Sequence, residues 1–213
     1  MIQYVNVDVQ YDQNRIFRRL KIEPETHVYE YATKVFPKLI QIVDENLDMV
    51  HCYAVLHHSP PVNIPEVDSC SHQVVCLSAC LDQITQAIGN LLEKGDYLEG
   101  YLLNDLTNEI LFNGSDQMNR QIAADLAKMD CRLTQRFSPG EGEMDLHYQA
   151  SLLQCFREDQ RLDFVKLTDS FMLAPEKSML YIFGADRRNP GVSVEHDCSI
   201  CPNKTCFFRV IKS

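Results

Sequence analysis

Strand-like segments lie at both ends of this chain and long helical stretches lie between them. Val5, Val7, Val9 and Tyr11 alternate with Asn6, Asp8 and Gln10, the period of a half-buried strand. MVHCYAVL (49–56), FVKL (164–167) and SMLYIFG (178–184) read as strands, and LAPEK joins the last two. Residues 28–46 place Tyr31, Val35, Leu39 and Val43 at helical spacing, with Pro37 marking a kink or the true first turn. Residues 81–94 set Ile84, Ile88, Leu91 and Leu92 on one face, and Gly95-Asp96 is a stop followed by a new cap. Residues 97–113 and 115–129 predict a helix pair or one long interrupted helix, and 145–157 a further helix. VVCLSAC (74–80) fits a strand or a buried helix start, and HHSPPVNIPEVDS (57–69) is a Pro-rich connection. This order predicts an α+β domain and excludes a regular βαβ array. We expect one domain over residues 1–190 and a Cys-rich extension, packed on it or appended to it, over 191–213.

Composition narrows the function classes. The chain has 213 residues, 45% of them hydrophobic, enough to bury a sizeable core. No run reaches the roughly eighteen apolar residues that a membrane span needs. The formal net charge is -10 with no basic stripe, which argues against a nucleic-acid partner. MIQYVNVDVQ lacks the basic and apolar regions of a signal peptide, so a cytoplasmic location is expected. Nine cysteines, an odd number without a signal peptide, do not read as a disulfide framework.

Three of these cysteines form a C-terminal motif, Cys198-x2-Cys201-x4-Cys206. A two-residue gap lets two thiolates face one metal, and the longer gap through Pro202 and Asn203 can return a third. The spacing predicts an iron–sulfur cluster or zinc, with the fourth ligand open or supplied by His196, Cys70, Cys76 or Cys80. Cys76 and Cys80 lie in an apolar segment, so core burial is their default, as it is for the scattered Cys52, Cys131 and Cys155.

Arg136-Phe137-Ser138-Pro139-Gly140 has the chemistry of an anion receptor. Arg136 offers a planar fork of donors for a carboxylate. Gly140 permits close approach of a ligand to the backbone. A helix start near Asp145 would add exposed N–H groups. Thr168, Asp169 and Ser170 read as turn-satisfying groups at a strand end. No nucleophile–base pair, phosphate loop or paired acid and base stands at a recognisable spacing, so no catalysis is assigned to the chain alone.

Arg136-x-x-Pro139-Gly140, followed by Lys166-Leu167-Thr168-Asp169-Ser170-Phe171-Met172-Leu173-Ala174-Pro175-Glu176-Lys177-Ser178, resembles the reactivation domain of vitamin B12-dependent methionine synthase. CSHQVVCLSACLDQITQAIGNLLEKGDYLEGYLLND resembles the middle of stand-alone members, so the likeness spans residues 65–185. It implies a single domain around a curved, largely antiparallel sheet flanked by helices. It also implies S-adenosylmethionine as ligand, with Arg136 on the methionyl carboxylate and Ser138 and Gly140 touching it through backbone groups. The acidic partner of the ligand's amino group falls near Phe112 or Asn113, with Glu109 a turn away. Glu141, where the family usually has tyrosine, would repel a carboxylate and suit a sulfonium.

The role implied is that of an accessory protein for reductive reactivation of a corrinoid protein or methyltransferase, with cobalamin entering only through that partner. Two alternatives differ in class. One is an iron–sulfur or zinc electron-transfer module that keeps the fold without the ligand site. The other is a non-catalytic interaction protein with structural zinc.

Overall fold

The computed structural model describes residues 2–57, 62–142, 144–190 and 204. In chain order these form β1 (Ile2–Tyr4), α1 (Gln13–Arg19), α2 (His27–Asn46), β2 (Met49–Leu56), α3 (Pro65–Asp68), β3 (His72–Cys80), α4 (Asp82–Glu93) and α5 (Tyr97–Ala127). There follow β4 (Arg132–Leu133), α6 (Tyr148–Gln154), β5 (Lys166–Leu167), β6 (Leu173–Ala174) and β7 (Ser178–Asp186). Five strands make one antiparallel sheet in the order β1-β2-β3-β7-β4, and β5 and β6 form a separate hairpin. The α+β architecture expected from the order of segments is thus present, with 74–80 resolved as strand. Among the described residues no helix is long and apolar enough to cross a membrane.

Both faces of the sheet are covered, which is why the central strands read as almost continuous apolar runs. On one face Tyr53, Val74, Cys76, Tyr181 and Phe183 pack against Met118, Ile122 and Leu126 of α5. On the other, Cys52, Val75, Leu77, Leu180 and Ile182 meet Leu152, Leu153, Phe156 and Leu162. A third cluster joins α1, α2 and α4 to the first half of α5. In α2, Ala32, Phe36, Leu39 and Val43 form the buried stripe and Thr26 caps its first turn by accepting from the Tyr29 amide at 3.1 Å. Pro37 lies on the exposed side inside this helix, so the helix runs through it.

Two expectations are corrected. Tyr97–Ala127 is one continuous helix, because Asn113-Gly114-Ser115 marks a close crossing and not a break. A Cβ on Gly114 would lie 2.6 Å from the ring of His51 on β2, so only glycine lets α5 approach there. The strand expected through Tyr11 stops at Tyr4, apart from a bond from the Val5 amide to the His51 carbonyl at 2.9 Å. Beyond it the backbone bonds to side chains of α5. Gln117 accepts from the Asp8 amide at 2.9 Å and donates to its carbonyl at 2.8 Å, and Asn113 donates to the Gln10 carbonyl at 2.7 Å. Period two alone cannot tell a neighbouring strand from a helix lined with amides.

The first half of α5 also carries the principal buried charge network. Arg19 of α1 donates to both oxygens of Asp105 at 3.0 and 3.2 Å and pairs with Glu109 at 2.5 Å. Arg15 joins Glu109 at 2.5 Å. Both carboxylates have side chains 2% exposed, so their desolvation is tolerable only with these cations in place. Replacing Arg19 by alanine is expected to destabilise the fold by about 3–5 kcal/mol, read as a fall in the urea midpoint at unchanged slope.

Candidate functional site

The segment after α5 follows the outer edge of β7. Arg132 and Leu133 pair with Asp186 and Ala185, and the Thr134 amide donates to the Gly184 carbonyl at 2.8 Å. Phe137 exchanges backbone bonds with Ile182 at 3.0 and 2.9 Å. This run places Phe137 in the α6-side core and Arg136 above the opposite face, its guanidinium 5.2 Å from the centre of the Tyr181 ring. The Arg136 side chain is 14% exposed, so it is a positioned group and not a waving surface cation.

Tyr181 is the floor of this corner. It is 1% exposed, and its hydroxyl meets Ser115 Oγ at 2.7 Å and Asn119 Oδ1 at 2.8 Å, one turn apart on α5. Burial pushes its hydroxyl well above the ordinary tyrosine range; the Arg136 guanidinium pulls it down and the Asp116 carboxylate pushes it up. Among the described residues, Asp116 is the one carboxylate that acts on the Tyr181 hydroxyl. Sequence reasoning passed over it, although it lies seven residues beyond Glu109 on the same helix, two turns along one face. Glu109 is spent on Arg15 and Arg19, and Asn113 on the Gln10 carbonyl.

Ser138–Gly142 closes the corner as a tight loop. The Glu141 amide donates to the Ser138 carbonyl at 3.0 Å, and the Gly140 amide to the Met144 carbonyl at 2.8 Å. Gly140 has φ +85°, and a Cβ there would also crowd Leu146 at 3.1 Å, so glycine is required by backbone and space together. Glu141 stands 3.9 Å from the Arg136 guanidinium. The next helix starts three residues later than expected, at Tyr148; Asp145 accepts from the His147 amide at 2.9 Å, which draws its carboxyl below the usual range. The structure therefore brings Arg136, Ser138 and Gly140 into one loop against β7, with the Gly140 N–H engaged inside it. The corner thus presents the Arg136 guanidinium, with the Glu141 carboxylate nearby, over an aromatic floor.

Thr168 and Ser170 satisfy their own turn, Thr168 Oγ1 lying 3.0 Å from Ser170 Oγ and accepting from the Met172 amide at 3.1 Å. Cys52, Cys70, Cys76, Cys80 and Cys131 are buried and Cys155 is half-buried. Burial pushes the thiols of Cys52 and Cys80 up to about 12, far from the thiolates that ligate metals. Cys198, Cys201, Cys206 and His196 lie outside the described residues. Among the described residues no three His, Cys, Asp or Glu side chains converge to hold a metal ion.

No family model and no curated protein matches this chain. Among solved structures it is similar to the crystal structure of the MetH reactivation domain bound to AdoHcy, with a TM-score of 0.61, 10% identity, and coverage of 91% of this chain and 81% of that one. At this identity the likeness is one of fold: the five-stranded antiparallel sheet with flanking helices is the reactivation-domain architecture.

A second polar pair lies beside the Tyr181 corner, under the crossing of α5. His51 is 3% exposed; its Nδ1 meets Ser78 Oγ at 2.8 Å, while its Nε2 has no hydrogen-bond partner among the described residues. Burial lowers this imidazole to about 4. The unfolded chain, with a pKa of roughly 6.5, therefore binds the extra proton first as pH falls. Stability from this group is complete above about pH 6.5 and declines as pH drops toward 4, by up to about 3 kcal/mol. Unfolding free energies measured across that window are expected to fall less steeply in His51→Asn than in the wild type.

Proposed function

We propose that this chain binds S-adenosylmethionine at the Arg136–Gly142 loop and serves the reductive reactivation of a corrinoid held by a partner protein or methyltransferase. The observation that carries this reading is Arg136 held over Tyr181 at the edge of β7, beside a glycine-dependent loop. It is supported by the fold shared with a domain solved with AdoHcy. The residues suit an amino-acid sulfonium. Arg136 is the receptor for the α-carboxylate, and charge-assisted bidentate bonds give it both affinity and orientation. Glu141 supplies negative potential for the ammonium and sulfonium groups. Bound S-adenosylmethionine supplies the methyl group; the chain's own residues bind and orient it, and cobalamin enters only with the partner.

Calorimetry of the full chain with S-adenosylmethionine and S-adenosylhomocysteine tests this directly. Binding by the wild type is expected, with Arg136→Ala losing about 2–5 kcal/mol of it. Glu141→Gln is expected to favour the homocysteine form over the methionine form, because only the latter carries the sulfonium that Glu141 attracts. Absence of wild-type binding at high ligand concentration would overturn the ligand assignment.

A second reading rests on the spacing Cys198-x2-Cys201-x4-Cys206. It makes residues 191–213 an iron–sulfur or zinc extension to the 1–190 domain, with an electron-transfer or interaction role. Visible absorption of anaerobically purified protein separates the metals: a brown protein with broad absorption supports a cluster, and a colourless one containing zinc eliminates it.

A further inference from the structure

His57 and His72 lie just past the end of the β2–β3 ladder, whose final pair is Leu56 and Gln73. The period of two puts both on the α5-facing side with Val55 and Val74. Their ring centres are 5.1 Å apart and the rings are inclined at 61°. Two imidazoles that ligate one ion at about 2.0–2.1 Å, with a near-tetrahedral angle between them, have ring centres about 5 Å apart. The pair thus already stands at the separation a shared ion requires.

Hydrogen bonding also selects the tautomer. Ser71 Oγ lies 3.2 Å from the Ala185 carbonyl, which can only accept, and 3.1 Å from His72 Nδ1. A hydroxyl has one proton, so both contacts are hydrogen bonds at once only when the carbonyl takes it. Ser71 Oγ must then accept from Nδ1–H of His72, which leaves the Nε2 lone pair bare. A ligating histidine that donates its other N–H to a neighbouring oxygen is the arrangement metal sites use to orient the ring. Ser71 is itself fixed, its amide donating to Asp186 Oδ2 at 3.0 Å and its neighbour His72 paired with Ala185 of β7.

We propose that His57 and His72 form a two-histidine receptor for a divalent first-row transition ion of the imidazole-preferring class, Zn2+, Ni2+ or Cu2+. Among the described residues no third His, Cys, Asp or Glu joins them.

The test is calorimetric titration of chelator-treated full-length protein with Ni2+, in the wild type, His57→Ala, His72→Ala, Ser71→Ala and the double variant Cys198→Ser/Cys201→Ser. Each histidine variant is expected to lose one equivalent that the cysteine variant keeps, and Ser71→Ala to weaken that equivalent by about tenfold. His57 is exposed and His72 half-buried at the sheet end, and unchanged thermal unfolding of the variants confirms that only ligation is altered. Nitrogen NMR of the imidazoles gives an independent readout: on Zn2+ addition His72 should respond at Nε2 and keep Nδ1 protonated. Unchanged Ni2+ stoichiometry in either histidine variant, or coordination through His72 Nδ1, would overturn the proposal.

Discussion

Helix α5 lies against the sheet through polar contacts, and most of the molecule depends on that contact. Ser115 and Asn119 hold the Tyr181 hydroxyl, Gly114 makes room for His51, and Asn104 and Asn108 accept from the buried Lys177 amine at 2.8 and 2.7 Å. Each is a buried group whose desolvation is offset only if its partner is in register. Together they fix the rotation and the axial position of α5 far more tightly than apolar packing alone could. Leucines tolerate a shift of one contact, whereas a buried hydroxyl or ammonium does not. The other side of the same helix carries Asp105 and Glu109, which place α1, and Gln117 and Asn113, which hold the N-terminal segment.

The candidate ligand corner follows from this register. Arg136 is set by the run along β7, but the surface beneath it is Tyr181, and Tyr181 is set by α5. Ser115 and Asn119 of α5 are both committed to the tyrosine hydroxyl. The Gly140 turn then brings Glu141 back toward the guanidinium, so the corner holds charge of both signs in little space. That is the electrostatic character a zwitterionic ligand with an added cationic centre requires.

The α+β architecture, the strands at 49–56 and 178–184, the helix over 81–94 with its Gly95-Asp96 stop, and the burial of the central cysteines were all legible in the residues. Each depends on short-range signals: periodicity, chain-breaking residues and local hydrophobicity. The Arg136–Gly140 segment was legible as a loop, because Pro-Gly breaks regular structure locally. Asp116, Tyr181 and the continuity of α5 were not legible. Gly114 looks like a helix break until His51 is seen filling the space a side chain would take. Val5 to Tyr11 looks like a strand because alternation records which side faces the protein, not what the backbone bonds to.

By itself, then, the sequence determined the kinds of element and most of their order, since these follow from local propensity and chain-breaking residues. The tertiary structure alone decided which charges meet. It committed Glu109 to Arg15 and Arg19, seated Arg136 over Tyr181, and set His57 beside His72. The physical reason is that ion pairs, ring contacts and ligating pairs depend on distances of a few ångströms between residues far apart in the chain. Those distances are fixed only when the sheet register and the axial position of α5 are fixed together.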